Sequence, residues 1–179
     1  IFPNSTIIAA PSTIRKVFGS VPHADFVCEN FEDIASLGAD FAIVASPAPS
    51  HCIQASKLID KQVPCLIEKP LSSALTDGCH FKAYQENRKV FVGLAYQLRF
   101  YPGLEVIIRF LNERVLGCIY NVNIEVVQYL PTWRPNIDFK DSVSAKRNLG
   151  GGVLLELSHE IDYAIFLFGG LRLFKSKLR

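Results

Sequence analysis

Methionine is missing altogether: none of the 179 residues is Met, and the chain opens at Ile1. Both features lead to the expectation that this is a segment of a longer protein. Other absences remove whole classes. No apolar run reaches the roughly 18 residues that suggest a membrane span, so neither a span nor a membrane partner is expected. The first residues lack the basic-then-apolar order of a secretory leader. Neither sign of charge dominates. Lys and Arg number 19 against 17 Asp and Glu, a net +2, which offers no footprint for nucleic acid or an acidic membrane surface. The five Cys, at 28, 52, 65, 79 and 118, form no C-x-x-C pair and no His/Cys cluster at zinc-ligand spacing. No metal site is expected; free buried thiols in a reducing, cytoplasmic compartment are. A G-x-S-x-G elbow is absent, which removes the common hydrolase reading. A G-x-G-x-x-G turn is absent too: Gly19, Gly38, Gly78, Gly93, Gly103 and Gly117 stand alone.

What is present is enough to fold. Apolar residues make up 49% and charged residues 20% of the chain, sufficient for a core and against disorder. The first half alternates strand-like and helix-like stretches. Strands are predicted at 5–10, 40–45, 63–67 and 89–94, and helices at 31–37, 50–60 and 72–87, with Gly78 weakening the last. The run 40–45 (DFAIVA) is nearly continuous in apolar residues, which predicts burial on both faces. Strand, helix, strand at this spacing implies βαβ units and a parallel sheet.

After residue 95 the character changes. A helix is predicted over 102–113. Residues 118–129 alternate, with Val122, Ile124 and Val126 opposite Asn121, Asn123 and Glu125. That pattern predicts a half-buried strand of an antiparallel or mixed sheet. Residues 131–152 read as one long loop, and loops of that length are commonly functional. Trp133, Arg134 and Lys146 are its candidate substrate contacts; Arg134 or Lys146 suits a carboxylate or phosphate. Three glycines, 150–152, then lead into a predicted helix over 153–168. On it Leu154, Leu157, Ile161, Ile165 and Phe168 share one face, and Glu156, His159, Glu160 and Tyr163 the other. The fold class is therefore α/β; with the family resemblance given below, it is expected as a partial Rossmann-like parallel sheet over 1–95, then the start of an α+β domain with a mostly antiparallel sheet over 96–179.

Open α/β sheets bind ligands outside the carboxyl ends of their strands. Two such ends are visible, around Ser46 to His51 and at Glu68-Lys69-Pro70. By position, Ser46, His51, Glu68 and Lys69 could face a ligand. Lys69 is the most suggestive, because an ammonium there can hydrogen-bond a substrate oxygen.

Four blocks together resemble one family. They are Ser46-Pro47 with His51, then Glu68-Lys69-Pro70, then Val92-Gly93 with Leu98-Arg99-Phe100, then Gly150 to Tyr163 (GGGVLLELSHEIDY). In this order they are similar to the Gfo/Idh/MocA oxidoreductases, over roughly residues 30 to 170. The resemblance implies an NAD- or NADP-dependent enzyme that moves a hydride between nicotinamide and a sugar, nucleotide-sugar or cyclitol carbon. Lys69 and His159 are then the catalytic pair, with His159 as acid/base on the reacting hydroxyl and also touching substrate. Members commonly carry an Asp four residues before that His. Here Glu156 stands three before it, a departure from that pattern whose helical spacing still allows a catalytic Glu–His pair on one face. Ser46, Pro47, His51, Glu68 and Lys69 border the dinucleotide, and Gln97 and Arg99 lie near the nicotinamide. The resemblance also implies a homo-oligomer when full length, and a Gly-rich turn within roughly 25 residues ahead of the segment. No acid follows Ile7-Ile8 to meet a ribose hydroxyl, while Arg15 and Lys16 lean towards NADP. A contrasting expectation is a non-catalytic remnant or binding protein that keeps the fold without a complete cofactor site.

Overall fold

The protein is described by a computed structural model at residues 4–10, 21–133, 138–170, 172 and 175. The chain divides into two compact units, Ile1–Ala95 and Tyr96–Arg179.

In the first unit, β1 (Ile8–Ala9) and β2 (Phe26–Val27) form a two-stranded parallel sheet. The Asp25 carboxylate supports it by accepting from the Ile7 amide at 2.7 Å. A second parallel sheet has β3 (Ala42–Val44), β4 (Cys65–Glu68) and β5 (Val92–Ala95) in that order. Parallel neighbours need long crossovers, and helices supply them. In the larger sheet α2 (His51–Asp60) joins β3 to β4, and α3 (Leu75–Glu86), which continues through Gly78, joins β4 to β5; α1 (Phe31–Ser36) lies between β2 and β3. The alternating strand–helix pattern is therefore realised as parallel β-structure, in two sheets among the described residues.

The core lies on one face of the larger sheet. There α2 packs on β3 and β4, with α1 and α3 flanking α2. Val44, Cys65 and Ile67 from the strands meet Cys52, Ala55, Leu58 and Ile59 from α2 and Phe81 from α3. Residues in register share a face, so Ile43, Leu66 and Gly93 form the opposite row. Ile43 is 66% exposed, which corrects the expectation of a strand buried on both faces. Among the described residues the helices that touch this sheet cover only the other side. The cysteines are free, but only Cys52 and Cys65 are buried; Cys79 and Cys118 are exposed. Burial pushes the Cys65 thiol up to about 11, so it stays protonated and inert.

The end of α2 is a Schellman cap. The Gln62 amide donates to the Ile59 carbonyl at 2.9 Å, and the Val63 amide to that of Leu58 at 2.9 Å. Gln62 carries the left-handed conformation (φ 59°) that this cap requires and that glycine adopts without a steric penalty. Gln62→Gly is therefore expected to stabilise the protein by about 0.5–1 kcal/mol, read as a higher urea midpoint at unchanged slope. A lower midpoint would show that the Gln62 side chain contributes more than the strain costs.

The second unit opens with a 3-10 turn, Gln97–Phe100, and α4 (Pro102–Asn112). Residues 118–129 form no strand, which leaves the antiparallel expectation unmet among the described residues. A strand needs a partner for its amides and carbonyls. No strand of this unit is described to provide one, and the alternating Val122 and Val126 are exposed. The expected long loop is instead a chain of short turns. After α5 (Leu130–Trp133) come 3-10 turns at Phe139–Asp141, Val143–Ala145 and Arg147–Leu149. The expected single helix over 153–168 breaks at Leu157 (φ −104°, ψ 32°) into α6 (Val153–Glu156) and α7 (Ser158–Phe168). Its faces are also reversed. Ile161 and Ile165 are each 44% exposed, whereas Glu156, His159, Glu160 and Tyr163 are half-buried. The polar stripe turns inward because α7 packs on the Gln97–Phe100 turn through polar partners.

Candidate functional site

In the first unit the strand order puts the two suspected strand ends next to each other. Val44 pairs in register with Ile67, and Glu68 with Ala95, so the loops after β3 and β4 leave the same edge of the sheet. The β3 loop runs through Ser46 and Pro47 into a 3-10 turn, Ala48–Ser50, that feeds α2. The Ser46 hydroxyl donates to Gln54 Oε1 at 2.6 Å, fixing the loop onto the first turns of α2. After β4 comes the corner Glu68-Lys69-Pro70, with a cis Lys69–Pro70 bond. Its Lys69 amide donates to Glu68 Oε2 at 3.3 Å.

His51 joins the two loops. Its Nδ1 lies 2.8 Å from the Pro70 carbonyl oxygen and its Nε2 2.7 Å from that of Ser46. The ring is 1% exposed. This corrects the expectation that His51 faces a ligand, because both nitrogens are spent on backbone and no ring edge reaches the surface. Ser46, Pro47, Glu68 and Lys69 are half-buried at the same strand ends. An edge where parallel strands end together, with half-buried polar side chains, fits a dinucleotide. Arg15, Lys16 and the loop residue Arg134 lie outside the described residues.

In the second unit the structure brings together Tyr96, Arg99, His159 and Asp162. The Arg99 guanidinium grips the Asp162 carboxylate with two bonds, Nε to Oδ2 at 2.8 Å and Nη2 to Oδ1 at 2.5 Å. It also lies over the Phe166 ring at 4.8 Å. The bonds to Asp162 hold its proton more firmly than usual. Arg99 is thus tied to Asp162 through two of its nitrogens while staying exposed, as is Gln97 on the same turn. The Tyr96 ring meets His159 edge to face, with centroids 5.5 Å apart, and its hydroxyl lies 3.5 Å from Ser158 Oγ. Burial, and then the Glu160 carboxylate, push the Tyr163 phenol up. Glu156 sits on α6 and His159 on α7, so the shared face of one continuous helix does not apply to them.

Three glycines deliver these helices, each for its own reason. Gly150 and Gly152 have φ of 87° and 122°. Gly151 is a close approach: a Cβ there would lie 2.3 Å from the Val143 carbonyl oxygen and 2.6 Å from that of Ser144. Trp133 lines a shallow apolar cleft with Leu130, Phe139, Ser142 and Ser144. Lys146 donates to Asp141 Oδ1 at 3.2 Å in an exposed pair that is easily exchanged for another anion.

Sequence reasoning missed Gln54 and Asp162. Neither left a local signal: Asp162 is 63 residues from its arginine, and Gln54 reads as an ordinary polar helix residue. Among the described residues there is no group of three or more side chains able to hold a metal ion. No helix among them is long and apolar enough to cross a membrane.

The chain resembles known proteins over most of its length. It is 28% identical over 127 residues to an uncharacterized oxidoreductase of Synechocystis sp., covering 70% of this chain and 33% of that protein. The oxidoreductase YvaA of Bacillus subtilis superposes with a TM-score of 0.69 at 22% identity, over 91% of this chain and 44% of that one. The WlbA dehydrogenase of Bordetella pertussis, solved with NADH and UDP-GlcNAcA, gives a TM-score of 0.69 at 18% identity, over 91% and 47%. The chain thus spans a third of the curated relative's length and less than half of either structure, and at these identities the structures speak for the fold. Residues 7–96 match the sequence model of the Gfo/Idh/MocA group, described as an oxidoreductase family with an NAD-binding Rossmann fold, and the chain belongs to that family.

Proposed function

We propose that the full-length protein is an NAD(P)-dependent oxidoreductase acting on a sugar, nucleotide-sugar or cyclitol carbon. The observation that carries this reading is the Glu68-Lys69-Pro70 corner at the carboxyl end of β4, inside a segment that belongs to an NAD-binding oxidoreductase family. Nicotinamide supplies the hydride chemistry when bound. The protein's own task is then to hold the substrate oxygen and move one proton. The Lys69 ammonium donates to that oxygen and stabilises the negative charge that develops on it. The His159 imidazole takes the hydroxyl proton during oxidation and returns it during reduction, as imidazoles commonly do in acid–base catalysis. Glu156 is its proposed carboxylate partner. Ser46, Pro47 and Glu68 border the dinucleotide, and Gln97 lies towards the nicotinamide.

Trp133 offers an apolar wall for a sugar face, while Arg134 and Lys146 suit an anionic substituent. The WlbA structure, with its nucleotide-sugar acid, supports a substrate of that kind. A cytoplasmic homo-oligomer is part of the same reading.

The test is titration of the full-length protein with NADH and NADPH, followed by nicotinamide fluorescence. Saturable binding of either is expected. A folded protein that binds neither overturns the reading and leaves the non-catalytic remnant in its place.

A further inference from the structure

His51 does not face a ligand, yet its ring spans the two loops that leave the strand ends. Each ring nitrogen lies within hydrogen-bond distance of a carbonyl oxygen, 2.8 Å at Pro70 and 2.7 Å at Ser46. Carbonyl oxygens accept and never donate. A neutral imidazole has one N–H, so its other nitrogen would aim a lone pair at an oxygen lone pair, at contact distance and out of water. Two bare acceptors pressed together in low dielectric are costly. A ring protonated on both nitrogens satisfies both carbonyls and places its positive charge between their dipoles.

Two effects oppose this. The ring is 1% exposed, and taking a cation out of water is costly. His51 is also the first residue of α2, and a helix N-terminus disfavours a cation. That field is spread over the first turn, whereas the two carbonyls touch the ring directly and stand in for the water that the charge loses, so the contacts prevail.

The connection has a consequence for Lys69. The Ser46 carbonyl belongs to the loop after β3, and the Pro70 carbonyl to the residue that follows Lys69. Tying both to one rigid ring fixes the backbone from which the Lys69 side chain departs. We propose that His51 is a positioning residue: protonated on both ring nitrogens, it clamps the Ser46 and Pro70 carbonyls together and sets the Lys69 corner. The significance for catalysis rests on the oxidoreductase reading; the clamp itself does not.

The test has two arms, both on the full-length protein. In the first, the protein is labelled with 15N-histidine, and long-range 1H–15N correlation spectra are recorded at neutral pH. His51 is assigned through its own backbone amide. Two protonated ring nitrogens are expected; one protonated and one bare nitrogen overturns the proposal. In the second arm, His51→Gln keeps an amide donor but cannot span both carbonyls. A kcat lower by about 100-fold is expected, as for a misplaced catalytic group, with NADH affinity changed by no more than about threefold. An unchanged kcat in folded His51→Gln overturns the positioning role. The first arm needs no turnover, so a failed clamp is distinguishable from a failed oxidoreductase reading, which the absence of NADH binding would reveal.

Discussion

Lys69→Ala in the full-length protein is expected to lower kcat by about 10²–10³, some 2.7–4 kcal/mol of transition-state stabilisation, while the fold survives. The magnitude follows from the proposed role. A positive donor aimed at a developing alkoxide acts more strongly in the transition state than in the ground state, so its loss appears in kcat more than in KM. The fold survives because Lys69 is half-buried at a strand end, outside the cluster of Val44, Ile67, Ala55, Leu58 and Ile59 that holds the sheet to α2. Steady-state kinetics and a urea curve check the two halves separately. The urea midpoint should correspond to a change of no more than about 1 kcal/mol, because no member of that cluster is truncated. Wild-type kcat in this variant would falsify the catalytic assignment. A collapse of the urea midpoint would instead give Lys69 a structural role.

Gly151→Ala is expected to be the most damaging single-methyl change in the second unit, at about 3 kcal/mol or more. The added Cβ meets two backbone carbonyl oxygens, at 2.3 and 2.6 Å, and backbone cannot rotate aside as a side chain can. The turn Val143–Ala145 must move, and the Gly151 amide, which donates to the Lys146 carbonyl at 3.0 Å, moves with it. Gly152→Ala is the internal control. Its φ of 122° strains any residue with a Cβ, but the space around it is open, so about 1–3 kcal/mol is expected. Urea denaturation of both variants checks the order. Equal or reversed losses would mean that backbone conformation, rather than the close approach, governs this turn.

The two variants probe features that differ in how legible they are in sequence. Lys69 could be singled out from the chain because a strand end is a local pattern: an apolar run at 63–67 stops, and a charged pair and a proline follow. The parallel arrangement was legible for the same reason, since alternation of strand and helix constrains topology through short connections. Gly151 was visible only as one of three glycines. Its neighbours are Val143 and Ser144, and their approach depends on how the intervening turns fold back. His51 shows the gap most plainly. Its position after a strand end suggests a ligand, whereas the structure turns the ring inward onto two carbonyls, one of them 19 residues away.

Two misreadings have a common source. The runs at 40–45 and 118–129 are apolar or alternating, and that pattern alone predicts burial for each. Periodicity states which residues share a face; it does not state whether anything packs there. Ile43 points away from α2, and Val122 and Val126 find no neighbouring strand among the described residues. On α6 and α7 the amphipathic pattern is real but its sense is inverted, because specific pairs, Arg99 with Asp162 and Tyr96 with His159, draw the polar side inward.

By itself, the sequence determined the family, the parallel strand–helix order and the strand end that carries Lys69, because each is written in local runs, spacings and motif order. Only the tertiary structure decided that His51 is buried between two carbonyls, that Arg99 grips Asp162 and that Gly151 admits no side chain. Those outcomes depend on atoms brought within about 3 Å from distant parts of the chain, and hydrogen-bond and steric forces act at that range whatever the separation in sequence.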